Sequence, residues 1–204
     1  GAAYLNHVMG DIFGRGYAIN GTAIDAFKPF VDEVALAGIV PDVVICPLGN
    51  GTTTLPMANG FKSLYRRAIV IGFEAASSAF AYRMKYGTEA YEESFQVDPE
   101  TLPRHNLPGT TPPSTIFAIP ALEAAIPLLD RVTLVTNDFI NRNFVNVTGS
   151  LPKGECVMCG DESHPGMTEF GRTGKAGFSV ALAYARKQKL SGKNILVPVF
   201  DAAW

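Results

Sequence analysis

Cysteine, tryptophan, histidine and charged residues are all scarce in this chain of 204 residues. It contains three cysteines, one tryptophan and three histidines, and 18% of its residues are charged. Three cysteines are too few for a disulfide-stabilised scaffold, so we expect a cytoplasmic, reducing location. The net charge of −2 gives no general attraction for nucleic acid or for an anionic membrane. No apolar run approaches the roughly 20 residues that span a bilayer.

Apolar residues, in contrast, are abundant enough for a sizeable core. They make up 47% of the chain, which excludes a disordered protein. The length fits one domain, and we predict a single α/β domain over residues 1–204. The sequence begins at Gly1 without an initiator Met, and no signal-peptide pattern follows. We therefore expect the chain to be a piece of a longer protein.

Four short apolar runs alternate with longer segments of helical periodicity. The runs are rich in β-branched residues, which is typical of strands buried on both faces of a parallel sheet. The alternation predicts a three-layer αβα fold with a mainly parallel sheet. The predicted strands are 42–46, 68–73, 131–136 and 194–199.

The segments between these runs predict helices, with two exceptions. Pro29 predicts a kink or a late start in the first helix, which Thr22 could cap and Gly38 would end. Prolines at the starts of the second and third helices suit a first helical turn. The predicted helices are 22–38, 56–66, 121–129 and 174–190. Residues 98–113, which contain five prolines, and residues 148–166 predict irregular excursions.

The most specific local pattern is a buried strand that runs into a glycine-rich loop followed by a helix. The loop reads Gly49-Asn50-Gly51-Thr52-Thr53-Thr54. Glycines allow a tight turn and a close approach of the backbone to a ligand, and the start of a helix favours an anion. The threonines add hydroxyl donors, so the pattern predicts a phosphate site. The alternative is a strand–helix turn that needs glycine for its geometry alone.

This order of strand, Gly-Asn-Gly-Thr loop and helix resembles the phosphate loop of fold-type-II pyridoxal-phosphate enzymes. That group is tryptophan synthase β-like, and it includes threonine synthase, cysteine synthase and the serine/threonine dehydratases. Flanking segments resemble the same family at 21–27, 69–75, 115–118 and 135–138. The resemblance covers most of this chain, but only the C-terminal portion of such an enzyme.

The resemblance implies the large domain of a lyase or synthase in amino-acid metabolism, with threonine synthase-like elimination or replacement. The loop residues would bind the phosphate of pyridoxal 5'-phosphate. The expected partners are that cofactor and a small amino acid, and neither nucleic acid nor a membrane is expected. A homo-oligomer is compatible with the resemblance. Two further cofactor contacts are implied: Glu169, in the turn before the last long helix, and Asp201, near the ring nitrogen. Each residue also has an alternative role without a cofactor. Glu169 could be an acidic residue that suits the start of a helix, and Asp201 could be a terminal residue at the edge of the sheet.

One family feature has no match in this sequence. The family's Schiff-base lysine lies in an upstream Ser-x-Lys-like segment, and nothing before Pro41 corresponds to it. Lys28 lies in a helix-like stretch, and Lys62 is predicted to be a solvated surface residue. We therefore expect this chain to be inactive alone, with its catalytic residues unassigned. One alternative is a non-catalytic domain that binds a phosphate-bearing molecule or a partner chain. Another is an unrelated α/β domain whose phosphate-binding turn holds a nucleotide or a sugar phosphate.

Cys156-Val-Met-Cys159 is a second pattern that could carry chemistry. Zinc needs about four ligands, and this pair supplies two. His164, Asp161 or Glu162 could complete a site, and a redox pair is another reading. Because there is no second Cys-x-x-Cys pair, the prediction is structural cysteines and no metal.

Overall fold

The computed structural model describes residues 25–95, 107, 120–148 and 171–199. Several predicted features lie outside the described residues. They are Thr22, Glu169, Asp201, the Cys156–Cys159 pair with its neighbours, and most of the segments 98–113 and 148–166.

The described residues form a four-stranded, all-parallel sheet flanked by helices, which confirms the predicted fold class. The strand order is β3-β2-β1-β4. The register aligns Val43 with Ile69 on one side and with Ile195 on the other, while Ile71 aligns with Arg131. The strands are β1 (Val43–Pro47), β2 (Ile69–Ala75), β3 (Arg131–Val135) and β4 (Ile195–Leu196).

The helices cover both faces of this sheet. They are α1 (Lys28–Leu36), α2 (Thr54–Leu64), α3 (Phe80–Tyr86), α4 (Thr88–Phe95), α5 (Pro120–Ala125), α6 (Asn137–Thr148) and α7 (Arg172–Gln188). The kink or late start predicted for the first helix is confirmed, because a turn at 26–27 precedes α1, which begins at Lys28 with Pro29 in its first turn. Gly38 follows its end with a φ of 71°, a left-handed conformation that favours glycine.

Some helices and one strand differ from the sequence prediction. Helices α3, α4 and α6 were not predicted. Helix α5 ends at Ala125 and continues as a 3₁₀ turn over Ile126–Leu128, because Pro127 cannot donate the hydrogen bond that an α-helix needs there. Strand β4 has two residues rather than six, and Pro198 beyond it cannot donate to a ladder.

Side chains alternate along β1 and β2 to fill two cores, one on each face of the sheet. The first core contains Val44, Cys46, Leu48 and the inner face of α2. The second contains Val43, Ile45, Phe73 and the inner face of α7. Burial raises the pKa of the Cys46 thiol to about 12, so this cysteine packs as an apolar group and is not a nucleophile.

An ion pair at the start of the sheet adds a partner to Lys62, a residue predicted to lie at the surface. Its ammonium donates to Asp130 Oδ2 at 2.5 Å and to the Ala68 carbonyl at 2.9 Å, so it is held in a partly exposed ion pair. Asp130 Oδ2 also accepts the Val70 N–H at 2.7 Å. Asp130 thereby ties the turn before β3 to the start of β2.

Asp130→Ala is expected to destabilise the fold by about 1–2 kcal/mol. The change removes the acceptor of two hydrogen bonds, one of them to a charged donor, and Asp130 is partly exposed to solvent. Urea unfolding of the two proteins measures the difference. Asp32→Ala, an exposed site on α1, is the control and should stay within about 0.5 kcal/mol of wild type. Equal stability of both variants would contradict the structural role of Asp130.

Candidate functional site

The glycine-rich loop lies where parallel strands place ligands, at their carboxyl ends. Strand β1 ends at Pro47, and the next residue, Leu48, is fully buried. The Leu48 N–H donates to the Phe73 carbonyl at 2.8 Å, which holds the start of the loop against β2. The loop then crosses the top of the sheet and enters α2 at Thr54.

The side chain of Asn50 shapes the loop from within. Its Oδ1 accepts the Thr52 N–H at 2.9 Å, which closes a turn around Gly51. Gly51 is buried and has a φ of 86°, a conformation that glycine adopts without steric cost. The loop is therefore fixed by the local sequence.

Gly51 also allows a second helix to approach the loop. A Cβ atom at this position would lie 2.2 Å from the Leu122 nitrogen and 2.5 Å from the Ala121 carbonyl carbon. Both are backbone atoms of α5 and cannot move aside as a flexible side chain would. Only glycine fits here, because the start of α5 rests directly on the loop.

The start of α2 has no cap from a side chain. Thr53 occupies the N-cap position, and no side-chain hydrogen bond caps the helix there. The Leu55 and Met57 N–H groups turn inward to the Gly51 and Thr53 carbonyls. Pro56 has no N–H, so the backbone donors that an anion such as phosphate could meet at this helix start are those of Thr53 and Thr54.

The three predicted threonine contacts differ in what the structure shows of them. The Thr54 hydroxyl donates to the Pro47 carbonyl at 2.7 Å, so it closes the base of the loop. Thr52 is 7% exposed, and Thr53 is half-buried at the helix start. Gly49, Asn50 and Gly51 lie together with them in one loop, and phosphate binding by this set stays a prediction.

Sequence reasoning missed Glu74, which lies beside the loop near the end of β2. Its carboxylate is fully buried and accepts three backbone N–H groups at the start of α3. The donors are Phe80 at 3.0 Å, Ala81 at 3.2 Å and Tyr82 at 2.6 Å. Glu74 thus caps α3 from a neighbouring strand. An acidic residue in an otherwise apolar strand was the available signal.

The pKa of Glu74 is raised by burial to about 7, which offsets the effect of its donors. The three N–H groups and the charge of Arg83 act in the opposite direction, since they favour the carboxylate. Glu74 therefore titrates near neutral pH. Among the described residues, no group of three acidic, histidine or cysteine side chains could hold a metal ion.

Comparison with known proteins identifies the fold. No protein-family model and no curated protein matches the sequence. Solved structures do match, and one is a hydrogen sulfide-producing enzyme from Fusobacterium nucleatum, with a TM-score of 0.61 and 18% identity. The match covers 90% of this chain and 50% of that one. The chain has the fold of the fold-type-II pyridoxal-phosphate enzymes.

Two further enzymes of this fold-type-II group also match most of this chain with about half of their own length. The processed form of threonine deaminase isoform 2 from Solanum lycopersicum has a TM-score of 0.57 and 18% identity, over 89% of this chain and 46% of that one. O-Acetyl serine sulfhydrylase isoform 3 from Entamoeba histolytica has a TM-score of 0.55 and 15% identity, over 88% and 43%. The chain therefore spans about half the length of the fold-type-II structures that it matches.

The likeness agrees with the family resemblance carried by the loop sequence, and the predicted fold type is confirmed. In the part of the chain that the structure describes, no helix is both long and apolar enough to cross a membrane. Glu169 and Asp201, the other two predicted cofactor contacts, lie outside the described residues.

Proposed function

We propose that this chain is the part of a pyridoxal-phosphate-dependent lyase or synthase that binds the cofactor phosphate. The observation that carries the proposal is the position of the glycine-rich loop, which follows β1 at the carboxyl end of the parallel sheet and leads into α2 without a side-chain cap. The names of the structural neighbours, a threonine deaminase and an O-acetylserine sulfhydrylase among them, support chemistry on amino acids. Within that class we propose threonine synthase-like elimination or replacement.

Bound pyridoxal phosphate supplies an aldehyde that captures an amine and a ring that stabilises negative charge at the substrate Cα. The residues of this chain contribute binding and orientation. The Gly49–Thr54 loop would hold the phosphate through backbone N–H groups, with Asn50 fixing the turn. Glu74 would hold the neighbouring turn before α3 in place. Glu169 and Asp201 are proposed as further cofactor contacts.

We also propose that the chain has no turnover alone, because no part of its sequence resembles the lysine-bearing segment of the family. Three described lysines are held by hydrogen bonds elsewhere. Lys62 donates to Asp130, Lys85 donates to the Leu129 carbonyl at 2.6 Å, and Lys193 pairs with Asp42. Lys175 lies in the first turn of α7, three residues after Arg172, which contacts Asn137 beyond the carboxyl end of β3. It is therefore the described lysine to test first.

The purified chain is expected to bind pyridoxal phosphate reversibly and to show no elimination or replacement activity. Equilibrium dialysis measures the binding, and assays with serine, threonine and O-phosphohomoserine measure turnover. Borohydride treatment followed by mass spectrometry shows whether any lysine is modified. Turnover that is lost in Lys175→Ala would contradict the proposed inactivity, and failure to bind the cofactor would contradict the loop assignment.

A non-catalytic phosphate-binding domain is the second candidate. The hydrogen bonds that hold Lys62, Lys85 and Lys193 favour it, because they engage these amines away from the loop. Comparing the affinities for different phosphate esters separates the two functions. A cofactor site should bind pyridoxal phosphate at least about tenfold more tightly than phosphate esters of similar size that lack the pyridoxal ring. A general phosphate site should bind them all with similar affinity.

A further inference from the structure

The first turn of α7 has an unusual charge arrangement. Arg172 is its first residue, Lys175 follows one turn later, and the turn contains no acidic residue. The start of a helix carries a partial positive charge, so cations there are unfavourable and anions are favourable. Gly171 at the N-cap position provides no side-chain cap. A local arrangement that opposes stability in this way is typical of functional positions.

The guanidinium of Arg172 is held in place but only partly satisfied. Its Nη2 donates to Asn137 Oδ1 at 3.2 Å, which ties it to the residue that begins α6. Its Nε is buried and has no hydrogen-bond partner. Among the described residues, Arg172 makes no ion pair. A buried donor on a charged group is costly to leave unpaired, so an acceptor is expected at Nε.

A second unpaired polar group lies at the same end of the sheet. Ser77 is 8% exposed, and its buried hydroxyl has no hydrogen-bond partner. The preceding residue, Ala76, donates its N–H to the Val135 carbonyl at 2.9 Å, which places this turn at the end of β3. Asn137, the partner of Arg172, follows β3 by two residues. The two unpaired donors therefore flank the end of the same strand.

This end of β3 is separate from the proposed phosphate loop. The loop follows β1, and β2 lies between β1 and β3. Neighbouring strands are about 4.8 Å apart, so the two positions are separated by about 10 Å along the carboxyl edge. An anion bound by Arg172 is therefore a second anion, at a distance that an amino acid joined to the cofactor can reach.

We propose that Arg172, together with Ser77, binds an oxyanion of the amino-acid substrate, either a carboxylate or a phosphate. The planar guanidinium suits both groups, and its Nε is the donor that would complete a two-point contact. The positive end of α7 adds to the attraction. This assignment rests on the proposed function, since it gives the substrate a place beside the cofactor.

Titration calorimetry on the chain saturated with pyridoxal phosphate tests the assignment with three amino acids whose side chains carry no leaving group, so that none can undergo elimination or replacement. L-2-Aminoadipate carries a side-chain carboxylate, L-2-amino-5-phosphonopentanoate a phosphonate, and L-norleucine neither. Arg172→Gln is expected to weaken binding about tenfold or more, as for the loss of a charge-assisted pair. If affinity falls only for the two ligands with acidic side chains, Arg172 binds the side-chain acid. If affinity falls equally for all three ligands, Arg172 binds the α-carboxylate. Unchanged binding of all three overturns the proposal.

Two further variants separate binding from folding. Arg186→Gln, in the last turn of the same helix, is the matched control and should bind all three ligands as wild type does. Ser77→Ala should weaken binding several-fold yet keep or raise the melting temperature, because it removes an unpaired buried hydroxyl. A lower melting temperature with unchanged binding would assign Ser77 a structural role and contradict its part in the site.

The affinity for pyridoxal phosphate reports independently on the loop. A chain that does not bind the cofactor, but whose Arg172→Gln variant loses affinity for the acidic ligands, would refute the proposed function and keep the oxyanion site. A chain that binds the cofactor, but whose Arg172→Gln variant binds the ligands normally, would keep the proposed function and refute the oxyanion site.

Discussion

Asn50→Asp is expected to weaken the binding of pyridoxal phosphate by about 10–100-fold without loss of folding. Aspartate has the shape of asparagine and keeps the Oδ1 acceptor that receives the Thr52 N–H, so the turn around Gly51 should form as before. The new negative charge would lie within a few ångströms of the bound phosphate, where repulsion near a protein surface is about 2–4 kcal/mol. Equilibrium dialysis at low salt measures the change.

Asn59→Asp is the matched control for this experiment. Asn59 is an exposed residue of α2, so the same chemical change occurs on the same helix but away from its start. Its effect on cofactor affinity should be less than about threefold, and it should shrink as salt is added. Equal affinities of the Asn50 variant and wild type would refute the loop assignment.

Gly51→Asp adds a steric effect to the charge and is expected to abolish binding. The new Cβ would overlap the backbone of α5 at Leu122, and the positive φ would be strained. Gly38→Asp controls for the strain, because Gly38 also has a positive φ, of 71°, but open space around it. Cofactor binding that survives in the Gly51 variant would contradict the close contact between the loop and α5.

Glu74→Leu is expected to destabilise the fold by about 3 kcal/mol or more. Leucine leaves the Phe80, Ala81 and Tyr82 N–H groups without their acceptor, in a site with little access to water. Glu74→Gln keeps an acceptor oxygen of similar shape and should cost less than half as much. Urea unfolding of the three proteins at pH 6 checks this order. A Leu variant as stable as the Gln variant would contradict the capping role.

The same residue predicts a dependence of stability on pH. Because the pKa of Glu74 is raised from 4.5 to about 7, the folded state holds its proton more tightly than the unfolded chain does. This contribution is fully present below about pH 4.5 and is lost as pH rises through 7. Its full size is on the order of 3 kcal/mol. Wild type should therefore lose stability relative to Glu74→Gln between pH 5 and 8, and parallel pH profiles would contradict the assignment.

The central strands and the glycine loop could be predicted because their signals are local. Residues 42–46 and 68–73 are continuous apolar runs, and a strand buried on both faces needs such a run. Glycine at position 51 indicates a backbone conformation with positive φ, which other residues rarely adopt. In each case the residue type and the local structure have the same physical cause.

The features that sequence reasoning missed depend on partners far along the chain. Helix α3 has only seven residues, and its start is capped by Glu74 from β2 rather than by an adjacent residue. Besides its positive φ, Gly51 is required by the close packing of α5, which lies about seventy residues later in the chain. The ion pair of Lys62 could not be predicted because Asp130, its partner, is distant in sequence. No local pattern could have indicated these contacts.

The pairing of β1 with β4 affects the folding of the chain during its synthesis as well as the stability of the finished sheet. Val43 lies beside Ile195, and Asp42 binds both Lys193 and Asn194, so the sheet joins residues about 150 positions apart. During synthesis from the N-terminus, β1 emerges long before its second neighbour. Until then one edge of Val43–Cys46 has no strand beside it, and an apolar edge of this kind can pair with another chain. The sheet beneath the glycine-rich loop is therefore complete only after Ile195 and Leu196 have been translated, and aggregation competes with folding during that interval.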